Sequence, residues 1–169
     1  MNWDTASTNF QKINNSTYET TQYSNSRENK QLLIIDHTIG TNTTFTVKLQ
    51  EPLIIDSLTD IYLDSFVTFN ALDNKESGSD HQVFILKIDE FEIKSNSNNS
   101  TLFNAISIPN EATADNIVKI HKGTKFNYIS TINPKKITSI SGSITNLAGV
   151  TSTAADARFI AEFIFVSRT

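Results

Sequence analysis

The chain contains no cysteine, which excludes disulfides, thiol nucleophiles, iron–sulfur clusters and cysteine-ligated zinc together. Glycine is scarce, five residues in 169, and never falls in a phosphate-cradling pattern; no serine sits in a Gly-x-Ser-x-Gly elbow. Nucleotide-dependent and serine-hydrolase chemistry therefore find no support. Basic residues are fewer than acidic ones, 14 against 18, and are scattered instead of clustered, so no stripe is expected to follow a phosphate backbone and no specific nucleic-acid partner is expected. No stretch approaches the ~18 apolar residues of a membrane helix, and the first ten residues lack a basic start followed by an apolar run. The expectation is no membrane insertion and no export by a signal peptide.

Metal and acid–base constellations are equally thin. His37, His81 and His121 are far apart and show no His-x-His or His-Glu-x-x-His spacing that would aim two imidazoles at one ion. Asp36-His37 and Asp80-His81 are adjacent pairs, but neighbours on a strand point to opposite faces. The stretch Asp73 to Asp80 has a calcium-loop flavour, yet Lys75 stands where an oxygen ligand belongs and the closing glutamate is missing. Asp64 with Glu90 or Glu92 would be the carboxylate pair of a sandwich glycosidase. The only tryptophan is Trp3, and most phenylalanines are in phase with aliphatic residues, as core residues are. The reading is a non-enzyme with no cofactor and no metal.

What is present is β texture. From Met1 to Lys30 the chain is rich in Asn, Ser, Thr, Gln and Tyr, without helical or alternating periodicity, and reads as a flexible N-terminal arm. Trp3, Phe10, Ile13, Tyr18 and Tyr23 are isolated large side chains suited to ordering against a partner. From Gln31 to Thr169 short runs of Ile, Val, Phe, Leu and Thr alternate with Asn, Ser, Asp, Gly and Pro, the signature of strands and turns in one domain.

Strands are expected at Leu32–His37, Thr43–Gln50 and Leu53–Ile55, with Pro52 between the last two marking a strand end or a corner. Asp60–Phe69 alternates with Ile61, Leu63, Val67 and Phe69 in phase, leaving Tyr62 and Phe66 on the opposite face. Val83–Ile93 reads as one long strand with a bulge near Asp89-Glu90 that restores its register. Phe103–Ile108 follows. Asn116–Ile120 and Phe126–Ile132 are either a hairpin or one kinked strand. Lys136–Ile144 and Ala157–Val166 complete the set, and the last run is apolar on both faces, as a central strand is. A C-terminal strand inserted between earlier ones is Greek-key topology. The expected fold is all-β, an eight-stranded antiparallel jelly-roll β-sandwich; an immunoglobulin-like sandwich is the alternative, without its Cys-Trp-Cys marks.

The ending carries a resemblance. Ile132-Asn133-Pro134-Lys135-Lys136-Ile137-Thr138-Ser139-Ile140, then a loop and Arg158-Phe159-Ile160-Ala161-Glu162-Phe163-Ile164-Phe165, is similar to the final two strands of single jelly-roll capsid proteins. The body from Gln31 to Thr169 resembles the penton and minor capsid proteins of tailless double-stranded DNA viruses, such as virophages and large nucleocytoplasmic viruses. The resemblance implies a structural virion protein assembled in the host cell: a homopentamer at fivefold vertices that contacts major and minor capsid proteins through arms and loops. Trp3, Phe10, Tyr18 and Tyr23 would then anchor the arm. A ring built by rotation needs a heterologous interface, for which Tyr62, Phe66, Ile160 and Ile164 on outward strand faces are the candidates. The competing expectation from another class is a carbohydrate-binding or lectin-like module, monomeric and with exposed aromatic residues in its loops.

Overall fold

A computed structural model describes residues 30–69, 74–114, 117–121, 127–150 and 156–168. They form an all-β structure of nine strands in two antiparallel sheets, a β-sandwich. The strands are β1 (Lys30–Thr38), β2 (Thr44–Ile55), β3 (Thr59–Phe69), β4 (Val83–Ile88), β5 (Ile106–Pro109), β6 (Lys119–His121), β7 (Asn127–Ile132), β8 (Lys135–Thr145) and β9 (Arg158–Ser167). One sheet runs β1-β9-β3-β6, with β7 also paired to β3; the other runs β2-β8-β4-β5. We refer to them as the β9 sheet and the β8 sheet.

Period-two burial explains why these segments pair as they do. In β9, Phe159, Ala161, Phe163 and Phe165 point inward and are buried, while Ile160, Glu162 and Ile164 point out and are half-buried. The strand lies between β1 and β3, the central position that its two apolar faces predict. Its inward residues join Leu33, Ile35, Ile61 and Phe66 from the same sheet and Phe45, Phe84, Leu86 and Ile140 from the other in one apolar core. Phe91 meets Phe163 and Phe165 edge-on, with ring centroids 4.9 and 5.6 Å apart, in the geometry aromatic quadrupoles prefer.

Four expectations need correction. Pro52 does not end a strand: β2 continues through it to Ile55. β2 is the edge of its sheet, and its register to β8 jumps between Lys48 and Leu53, so Pro52 falls in a bulge where no ladder donor is missed. Val83–Ile93 is not one bulged strand. It stops at Ile88, and a 3-10 turn over Asp89–Phe91 with Glu92 in the left-handed region carries Phe91 back into the core. The strand expected at Phe103–Ile108 begins only at Ile106, leaving Phe103 in the preceding loop, 49% exposed. The phase of β3 changes midway: against β9, Leu63 faces Phe163 and Ser65 faces Glu162, so Asp64 is an extra residue. This bulge keeps Ile61 and Leu63 inward and then turns Phe66 and Thr68 inward, putting Val67 and Phe69 outside.

β6 and β7 are two strands on the same side of β3. β6 pairs with Phe66–Thr68 and β7 with Thr59–Leu63.

Candidate assembly surface

The outer face of the β9 sheet is apolar in rows. Across β9, β3 and β6, Ile160, Val67 and Ile120 stand in register; across β9, β3 and β7, Ile164, Tyr62 and Tyr128 do the same. Ile120 is 64% and Tyr128 52% exposed, and the rings of Tyr62 and Tyr128 meet edge-on at 5.9 Å. On the edge strand β1, Leu32 and Ile34 alternate with the inward Leu33 and Ile35 and are more than half exposed. Between the two rows the Ser65 hydroxyl donates to Glu162 Oε2 at 3.1 Å.

Charged groups frame this face at both ends. Arg158 makes a two-pronged ion pair with Asp36, and its guanidinium lies 5.5 Å from the centre of the Phe69 ring. At the other end Arg168 Nε donates to Asp60 Oδ2 at 2.9 Å, and Thr131 donates to Asp60 Oδ1. The hydrogen bond from Arg158 holds the Asp36 carboxyl below the usual carboxylate range, and Arg168 does the same for Asp60; both guanidinium pKa values move up in return.

The outer face of the β8 sheet is different in kind. Thr44, Ser143 and Lys87 form one row across β2, β8 and β4; Thr46 and Ser141 form the next, with their hydroxyls 3.3 Å apart; Lys48 opposes Ser139 in the third. In these three rows hydroxyls and two lysines stand where the opposite sheet carries isoleucine, valine and tyrosine, with Ile54, opposite Lys136, and the buried Ile85 as apolar residues in the same outward phase.

Of the sequence-derived contact residues, Tyr62, Ile160 and Ile164 lie on the outer face of the β9 sheet. Phe66 does not. It is fully buried, against Phe84, Phe159 and His121, because the extra residue Asp64 reverses the alternation. Trp3, Phe10, Tyr18 and Tyr23 lie outside the described residues. Sequence reasoning missed Val67, Ile120, Tyr128, Leu32 and Ile34. The unbroken run Leu32-Leu33-Ile34-Ile35, which must put two apolar residues on each face of a strand, was the available signal for the last two; for Val67 the bulge masked it.

Two of the three carboxylates considered as a catalytic pair have partners of their own. The Glu90 carboxylate accepts the Ser141 amide, Glu92 pairs with Lys135 at 2.7 Å, and Asp64 sits at the β3 bulge, so the three carboxylates take up separate roles. Among the described residues no group of three His, Cys, Asp or Glu is placed to hold a metal ion, and no helix is long and apolar enough to cross a membrane. His121 is buried between β3, β4 and the loop after β5. A shallow cleft of about 360 Å³ lies beside the Asp89–Phe91 turn, lined by Lys87, Asp89, Glu92, Phe103 and Asn104.

Set against known proteins, the chain matches no family model, and no curated protein matches it.

Proposed function

We propose that the protein is a structural virion protein, a penton capsid subunit that assembles as a homopentamer at fivefold vertices and contacts major and minor capsid proteins. The strand orders β1-β9-β3-β6 and β2-β8-β4-β5 support reading the sandwich as a jelly roll. In that reading β6 and β7, which pair with successive parts of β3, fill one position, and the nine strands occupy eight places. The observation that carries assembly is the asymmetry of the two outer faces. An apolar face on one sheet, with its polar groups confined to the frame and to a central cluster of Asp64, Ser65 and Glu162, is the composition of an interface core and rim. The protein works by packing against copies of itself and needs no catalytic centre. Light scattering behind a sizing column tests this: a mass of five chains supports the reading, and a strict monomer at all concentrations overturns it.

A second reading, a carbohydrate-binding or lectin-like module, rests on the cleft beside Phe103. An exposed aromatic ring next to the carboxylates of Asp89 and Glu92 is a platform with hydrogen-bond acceptors around it. A glycan panel decides it: binding that Phe103→Ala abolishes supports the module, and no binding to any glycan rejects it.

A further inference from the structure

The apolar outer face of the β9 sheet leaves open what covers it. A four-strand face at about 4.8 Å per strand and ten residues at about 3.3 Å offers roughly 600 Å². Burying one such face on each partner removes about 1,200 Å², the lower end of the specific, stable class. Area alone therefore permits a second copy, and charge selects which of its faces.

At the centre of the β9 sheet's face lie two carboxylates. Glu162 accepts a hydrogen bond from Ser65, Asp64 sits in the adjacent bulge, and neither has an ion-pair partner among the described residues. Stacking this face on the same face of another copy would desolvate like charges against one another, a destabilising arrangement. The β8 sheet's face supplies the complement. Lys48 and Lys87 flank the Ser and Thr rows of β8 and β2, and neither pairs with a carboxylate among the described residues. Short hydroxyl side chains make that face flat, and the methyl groups of Thr44 and Thr46 and the lysine stems give the Ile160–Val67–Ile120 and Ile164–Tyr62–Tyr128 rows apolar surface to cover.

We infer that the outer face of the β9 sheet docks on the outer face of the β8 sheet of a second copy, setting Glu162 and Asp64 of one protomer against Lys48 and Lys87 of the next. The contact is heterologous, so each copy keeps one face of each kind, and a fifth of a turn from each copy to the next would close it into the ring of five proposed above. This rests on the homo-oligomeric reading above and specifies its geometry.

The absence of cysteine makes the test clean, because one introduced thiol is the only thiol in the chain. Full-length Ser65→Cys marks the first face and Ser141→Cys the second. The two variants, differently tagged, are purified singly and after co-expression, then treated with a short bismaleimide while their mass is followed by light scattering. The inference expects cross-linked pairs in the co-expressed sample and none in either variant alone. Cross-linking of Ser65→Cys with itself overturns it in favour of a two-fold contact. An intact oligomer without any cross-link overturns it by placing the interface elsewhere; in both cases the homo-oligomeric reading survives. A monomer at every concentration overturns that reading together with the inference. As a second readout, Glu162→Lys is expected to weaken assembly at least about tenfold, and Lys48→Glu with Lys87→Glu to restore it in the same chain. Failure of that rescue, with each variant folded by circular dichroism, also overturns the charge pairing.

Discussion

Nε2 of His121 lies 2.7 Å from the hydroxyl of Thr68, and both side chains are sealed from solvent where β6 joins β3. Nδ1 of the same ring accepts the backbone N–H of Glu111 at 3.0 Å, so the neutral tautomer carries its proton on Nε2 and donates it to Thr68. One imidazole thereby ties the loop after β5 to the central strand β3. Burial pushes its pKa down to about 4; the Pro109 carbonyl and Glu111 oppose the shift, and Lys119 adds to it.

Acid should therefore loosen the β3–β6 side of the sandwich. The unfolded imidazole takes up its proton near pH 6.5 and the folded one only near 4, so this contribution is complete above pH 6.5 and is lost as pH falls toward 4, by roughly 3 kcal/mol. His37, whose pKa burial also lowers, contributes in the same direction as pH falls below 6.5. Asp36 and Asp60, held low by their arginines, act only at more acidic pH. Urea unfolding at a series of pH values should show the slope, and His121→Gln should remove about one proton of it while the His37 share remains. An unchanged slope in that variant would rule out the titration assigned to His121.

Gly142 is a position where no side chain fits. A Cβ there would stand 2.1 Å from the Lys87 carbonyl oxygen and 3.0 Å from the Phe45 ring. Gly142 faces Phe45 on β2 and Ile88 on β4, so the clash falls on backbone at the middle of the β8 sheet. Gly142→Ala is expected to cost about 2–3 kcal/mol, the scale of overpacking; denaturant titration checks it.

Phe91, within the Asp89–Phe91 turn, and Phe103, which lines the cleft beside it, should behave oppositely. Phe91 is fully buried against Phe163 and Phe165, and its carbonyl accepts the Ser130 hydroxyl at 2.6 Å. Phe91→Ala should cost about 3–5 kcal/mol, and Ser130→Ala about 1–2 kcal/mol by stranding that carbonyl. Phe103→Ala should stay within about 0.5 kcal/mol, as exposed substitutions do.

Much of the architecture is legible in the chain because β burial has period two. The doubly apolar run of β9 announces a central strand, and the inward set Phe159, Ala161, Phe163 and Phe165 follows from it. What stays hidden are the places where the period breaks. Asp64-Ser65 is a polar pair on either side of the phase change in β3, and polar residues there fit both phases, so nothing local says that Phe66 turns in and Val67 out. Pro52 marks a break on any strand, but only the neighbouring strand order, unknown from one segment, reveals that β2 is an edge that tolerates it. His121 next to Ile120 looks like a loop residue in sequence; pairing with β3 buries the histidine and exposes the isoleucine.

Phe66 and Ile164 then separate folding from assembly. Both sit on strands of the same sheet and both are apolar, but Phe66 is sealed in the core while Ile164 stands on the outer face beside Tyr62. Phe66→Ala should destabilise the isolated chain by about 3–5 kcal/mol. Ile164→Ser and Ile120→Ser should change the unfolding midpoint little, since each removes surface that folding leaves accessible. If the outer face packs against another copy, those same two substitutions should lower the oligomer fraction at fixed concentration, with Ile120→Ser the more telling because its side chain is the more exposed. Sizing and denaturant titration on the same preparations separate the two effects: loss of mass without loss of stability assigns the rows to assembly, and loss of stability with unchanged mass returns them to the fold.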